Sequence, residues 1–201
     1  MSVPRALYTD FPLGLSLGKA RDAQFQSEVL LAAFELLKET EGPVIRDFPV
    51  RVSATDGEPL VCGLPPRLNP DLHPAVDEAQ ALKSAYDRAH QKSNKTSVGM
   101  RISAEQIPDV LAKFVMIADG EHWEDLGFSA ASIYGTVHDI RAYYEELACE
   151  LAEGPIAPWA TEQWFYAQTE AGAIILKARR AMRDNHVAQS VWFGLASAGR
   201  E

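Results

Sequence analysis

Hydrophobic and polar positions divide the chain into a short strand-like beginning and a long helical remainder. Ala6-Leu7-Tyr8 is a brief apolar run that leads through a loop punctuated by Pro12, Gly14 and Gly18. An amphipathic segment then begins at Asp22. Across 22–40, Phe25, Val29, Ala32, Ala33, Leu36 and Leu37 fall on one helical face, and Leu30, Leu31 and Phe34 widen it. Glu28, Glu35, Lys38 and Glu39 keep a polar side. Asp22 suits an N-cap, and Gly42-Pro43 supplies a stop. So wide a stripe predicts cover by more than one neighbour, as for a helix lying on a sheet. Val44-Ile45 opens a second apolar run, and Val50-Arg51-Val52 alternates like a further short strand. Strand, loop, helix, strand is a βαβ-like order. Two or three short strands are nevertheless too few for a buried parallel sheet. Either the rest of the chain covers them or another chain supplies the missing strands.

The segment 53–69 is dense in turn formers: Asp56-Gly57, Pro59, Gly63, Pro65-Pro66 and Asn69-Pro70. Leu60-Val61-Cys62 is its only apolar core, so it reads as a long ordered loop or a linker. From Pro74 the pattern turns helical. A helix is predicted over 76–91, followed by a break at 93–96 and a short extended piece at 97–102. Ser103 with Gln106 forms a capping box for the next helix, whose buried face is Ile107, Val110, Leu111, Phe114, Val115 and Ile117. A loop over 121–128 carries His122 and Trp123. Helices follow over 130–153 and 159–183, and Val191-Trp192-Phe193-Gly194-Leu195 reads as a final strand. The fold class is α/β. It comprises an incomplete βαβ-like unit over 1–52, a loop-rich bridge over 53–73 and a mainly helical region over 74–201.

Composition narrows the classes. The 201 residues are 47% hydrophobic and 23% charged, ordinary for a soluble globular chain able to bury a core. A net charge of −9 argues against non-specific nucleic-acid binding and against anionic lipid surfaces. Met1-Ser2-Val3-Pro4-Arg5 is no secretory signal, and no apolar run reaches membrane-span length. The two cysteines, Cys62 and Cys149, form no Cys-x-x-Cys pair and fit reduced thiols in the cytoplasm. No cofactor motif is present. The glycines match no G-x-G-x-x-G, and Lys19 is followed by Ala20, so there is no Walker ending. His-x-x-x-His spacing is absent too, which leaves a helical zinc site unsupported.

The opening stretch nonetheless has a likeness. Phe11-Pro12-Leu13-Gly14, Gly18-Lys19 and Asp22, continued by Gly42-Pro43-Val44-Ile45, resemble the C-terminal part of the selenoprotein B family. These are the substrate-specific subunits of glycine, sarcosine and betaine reductases and their relatives. The family loop has the form Phe-Pro-Leu-Gly-Asn-Pro-x-Gly-Lys-Pro-x-Asp, and the chain departs from it at Leu15-Ser16 and Ala20. The likeness covers about the first quarter of the chain. The family's Cys-x-x-Sec or Cys-x-x-Cys centre lies upstream of the matched segment. The resemblance therefore implies a split protein. This chain would be the small or accessory subunit of a thiol-dependent reductase, and a larger α/β partner would carry the thiol or selenol. The complex would cleave a carbon–heteroatom bond in a small polar molecule. Gly14, Gly18, Lys19 and Asp22 would edge the substrate site, with Lys19 pairing an anionic group.

Two residues are candidates for chemistry within this chain. Cys62 is either a thiol nucleophile or resolving thiol, or a small apolar residue packed under a loop. His122, among Glu121, Glu124 and Asp125, would have its charged form favoured and suit acid–base work. The plainer reading, and the one the residues favour, is a solvated acidic turn anchored by Trp123. His138-Asp139 with Arg141, Tyr143 and Tyr144 forms a second polar cluster. Facing inward, it could bind a carboxylate substrate or a partner; facing outward, it is ordinary wet surface. Trp159, Trp164, Phe165 and Tyr166 are core first and interface anchors second. A non-catalytic interaction protein is the alternative to the reductase subunit, and a self-contained enzyme using Cys62 or His122 is the other.

Overall fold

The computed structural model describes residues 4–11, 15–19, 22–52, 60, 62–152, 156 and 160–197. The chain divides into two compact units, 1–59 with 156–160, and 60–155 with 161–201.

The first unit is the βαβ-like fragment. Strand β1 (Arg5–Tyr8) pairs in parallel with β2 (Val44–Asp47), in the register Arg5 to Val44 and Tyr8 to Asp47. Helix α1 (Ala23–Glu35) connects them and tightens into a 3-10 turn over Leu36–Lys38. Asp22 caps α1 as expected, its Oδ1 accepting from the Phe25 amide at 3.0 Å. The core is small. Phe25, Val29 and Val52 are buried with Leu7, Phe11, Leu17 and Phe48 around them. The three phenylalanine rings meet pairwise at 5.8–5.9 Å. The 50–52 segment forms no strand. Val52 donates its amide to the Asp10 carbonyl at 3.2 Å and sends its side chain into the core, so its alternation reflects one buried residue rather than a pleat.

The broad stripe of α1 is covered on one side alone. Phe25, Val29 and Leu36 are buried, whereas Leu30, Leu31, Phe34 and Leu37 are 41%, 63%, 60% and 71% exposed. Tyr8 and Ile45, which strand alternation places on the face away from Leu7, are exposed as well.

The second unit is helical: α2 (Pro74–Ser93), α3 (Ile107–Ala118), α4 (Ala130–Leu151), α5 (Ala160–Gln168, of which Ala160 belongs to the first unit), α6 (Glu170–Asp184) and the short α7 (Gln189–Trp192). Its layers form because α3 packs most extensively on α6, and α2 lies against α3, α4 and α6. Ala171, Ile174, Ile175, Ala178 and Met182 make one stripe on α6, and Ile107, Leu111, Phe114 and Ile117 make another on α3. The Ser103 and Gln106 capping box is present, and it opens a 3-10 turn (Ala104–Gln106) before α3.

Two sequence expectations change here. The predicted helix over 159–183 is two helices. Thr169 caps α6 by accepting from the Gly172 amide at 3.0 Å, and its hydroxyl donates to the Phe165 carbonyl at 2.7 Å. A Cβ on Gly172 would fall on the backbone of Phe165 and Tyr166, so the glycine permits the tight turn between α5 and α6. Residues 191–195 are helical, not a strand: α7 runs into a 3-10 turn (Phe193–Leu195) that buries Val191 and Leu195. No helix among the described residues is long and apolar enough to cross a membrane.

Candidate functional site

In the first unit the described residues of the predicted loop converge on one ring. Gly18 sits in a turn closed by its amide on the Leu15 carbonyl at 2.8 Å, with φ of +76°, and an added Cβ would fall on the Phe25 ring. Lys19 Nζ stands 5.1 Å from the centroid of that ring, and its carbonyl accepts from Gln26 Nε2 at 2.9 Å. Asp22 caps the amide of Phe25 itself. Gly18, Lys19 and Asp22 are thus fastened to the first turn of α1. Gly14 lies outside the described residues.

Cys62 and His122 occupy different surroundings in the second unit. Cys62 is buried, and its thiol donates to the Ala148 carbonyl at 3.8 Å. Burial first, and neighbouring Cys149 second, push its pKa up, so the thiol resists ionisation. His122 is exposed in the turn after α3, with Nδ1 3.9 Å from Glu124 Oε2. It borders a cavity of about 160 Å³ whose other walls include Ile117, Trp123, Met182 and Val187.

A second cavity, about 330 Å³, runs along α4. His138, Arg141, Glu145, Glu146 and Cys149 line it from the helix, with Ser97 and Thr161 opposite. Their spacing of three and four residues puts them on one helical face. Arg141 Nη2 bonds Glu145 Oε1 at 3.0 Å and lies 3.7 Å from Glu162 Oε2. Burial works against its charge, but Tyr166, Glu145 and Glu162 together hold the guanidinium firmly protonated. Glu146 Oε1 accepts from the Ser97 amide. The cavity is therefore a polar cleft whose cation is internally neutralised. Among the described residues no group of three or more His, Cys, Asp or Glu side chains is placed to hold a metal ion.

Three of the buried carboxylates, Asp139, Asp77 and Glu78, hold backbone amides, a role that sequence patterning did not assign. Asp139, on α4, is fully buried and accepts from four consecutive amides, those of Gly99, Met100, Arg101 and Ile102, at 2.6–3.1 Å. Burial opposes its charge, yet the four N–H groups prevail and its pKa falls. This bonding explains why 97–102 is irregular: its amides serve Asp139 rather than a strand. Asp77 accepts from the Leu68 and Asn69 amides and from Arg67 Nε, each at 2.9 Å. Glu78 accepts from the amides of Glu170 and Ala171 at the start of α6 and from Tyr144 Oη at 3.0 Å. There burial prevails and the carboxyl is pushed up. All three fasten backbone rather than meet a ligand. The available signal was Asp139 lying between Gly135 and Ala142, small residues that mark a second buried face of α4.

No known family model matches the chain, and no curated protein or solved structure is significantly similar to it.

Proposed function

We propose that this chain is a small or accessory subunit of a thiol-dependent reductase. Its βαβ-like unit would join a larger α/β subunit that holds the cysteine or selenocysteine centre. The complex would cleave a carbon–heteroatom bond in a small polar molecule, in the cytoplasm. One observation carries the reading. A two-stranded parallel sheet is joined by a helix whose second apolar face, Leu30, Leu31, Phe34 and Leu37, stands in solvent. Parallel sheets are normally buried on both faces, and apolar patches of this kind mark interaction sites. The likeness of 11–22 to the selenoprotein B loop supplies the class of partner, and Lys19 remains the residue assigned to an anionic substrate group.

The test is purification from the native source, followed by identification of what stays bound through size exclusion. The expected result is a stoichiometric larger subunit with a Cys-x-x-Cys or Cys-x-x-Sec centre, and thiol-dependent turnover in the complex. Phe34→Glu should release the partner while circular dichroism stays unchanged. Lys19→Ala should lower turnover with assembly intact. A monodisperse monomer that binds no apolar dye, with Phe34→Glu behaving identically, would sink the reading.

A further inference from the structure

Cys62 and Cys149, remote in sequence, come to the same end of α4. Cys62 follows Leu60, whose carbonyl accepts from Gln168 Nε2 at 3.3 Å, so the segment is tied down on the helical unit. Its thiol donates to the carbonyl of Ala148, the residue immediately before Cys149. Across a trans peptide the carbonyl oxygen lies within about 3 Å of the next Cα. The Cys62 sulfur, 3.8 Å from that oxygen, is therefore within about 7 Å of the Cα of Cys149. Neither cysteine is in a disulfide. Their exposures differ sharply: Cys62 is 5% exposed, while Cys149 is open to solvent and lines the α4 cavity. That Cys149 is one of the two influences raising the Cys62 pKa agrees with their closeness.

We propose that Cys62 and Cys149 form a dithiol pair that takes up an intramolecular disulfide by exchange, Cys149 entering and Cys62 resolving. In the first step the Cys149 thiolate attacks one sulfur of a small disulfide, RSSR. The Cys149–S–SR bond forms, and RS⁻ leaves and takes up the proton that Cys149 released. In the second step the Cys62 sulfur attacks Cys149 sulfur, giving up its own proton, and a second RSH leaves. Both cysteines are oxidised and RSSR is reduced to two RSH, so atoms and electrons balance. Closing the bond requires the two sulfurs to approach to about 2.05 Å, so Cys62 gives up its weak contact with the Ala148 carbonyl. The surroundings also select the oxidant. The cleft that Cys149 lines is about 330 Å³, and its charges are largely paired, Arg141 with Glu145 and Lys92 with Glu150, so among its described residues it offers no free cation to draw in an anionic disulfide. A small neutral disulfide is the class that fits. The pair stands independently of any partner subunit.

The experiment uses the full chain and the oxidised form of 2-mercaptoethanol as the probe. After incubation under native conditions, thiols are blocked with N-ethylmaleimide and intact mass is read with non-reducing electrophoresis. The parent should lose both alkylatable thiols, be short of both thiol hydrogens, carry no adduct and remain monomeric. Cys62→Ser should instead stop at a mixed disulfide on Cys149. Cys149→Ser should keep Cys62 fully alkylatable once the probe is removed and the chain unfolded. The proposal is overturned if the parent accumulates the same mixed disulfide as Cys62→Ser. It is equally overturned if the parent forms covalent dimers, or if both its thiols survive the incubation.

Discussion

At the scale of single residues, Asp139 exerts the strongest local control. One carboxylate holds four successive amides, and hydrogen bonds to a charged acceptor are among the stronger ones in proteins. Asp139→Asn keeps the size but turns a donor toward those amides. We expect a loss of about 3 kcal/mol at neutral pH, read from urea midpoints. The sign with pH follows from the lowered pKa. Asp139 stabilises the fold above the ordinary aspartate range, and that contribution disappears as pH falls through its depressed folded value. The gap between parent and Asp139→Asn should therefore shrink in acid. Glu78 has the opposite sign. Its raised pKa means the fold favours the protonated form, a contribution present below the ordinary glutamate range and lost as pH rises through the raised value. The urea midpoint of the parent, taken relative to that of Glu78→Gln, should therefore be highest in acid and decline as pH rises toward neutral. The polar cluster around Asp139 was legible in the sequence. Its purpose was not, because the amides it serves lie 37–40 residues away.

At the scale of elements, local chemistry was read well and continuity less well. The Asp22 cap and the Ser103 and Gln106 box are short-range signals, and both are present. The break at Thr169 was missed because Thr and Gly are tolerable inside a helix, and only the approach of the α5 backbone makes them decisive. Gly172→Ala should cost about 3 kcal/mol or more in thermal or urea unfolding, since the added methyl meets backbone that cannot rotate away. Thr169→Ala should cost about 1 kcal/mol through the lost cap. Equal midpoints for Gly172→Ala and parent would show that the α5–α6 turn opens freely. The run at 191–195 was misread for a related reason. Five apolar or small residues fit a strand or a buried helical turn equally, and the Tyr166 hydroxyl bonding the Leu195 carbonyl at 3.0 Å decides in favour of the turn.

At the scale of the whole molecule, the sequence conveyed a small α/β beginning followed by a mainly helical part, and the structure has that form. The breadth of the α1 stripe was visible too, and it predicted more cover than the described residues of the first unit provide. Paired Leu31→Glu and Phe34→Glu changes should abolish apolar-dye binding and any self-association of the isolated chain without lowering its unfolding midpoint. Most of each of these side chains is exposed, so a large loss of stability would mean that the chain itself covers them.

The shortness of β1 and β2 has a thermodynamic consequence for any partner that completes the sheet. A four-residue strand turns about half of its amide and carbonyl groups outward along a free edge. Edge pairing would therefore contribute only a few hydrogen bonds, each of modest net value. Association would rest on the apolar surface of α1 and on Ile45 and Tyr8. Titration calorimetry should then give a negative heat-capacity change, an affinity that weakens on cooling, and little response to added sodium chloride.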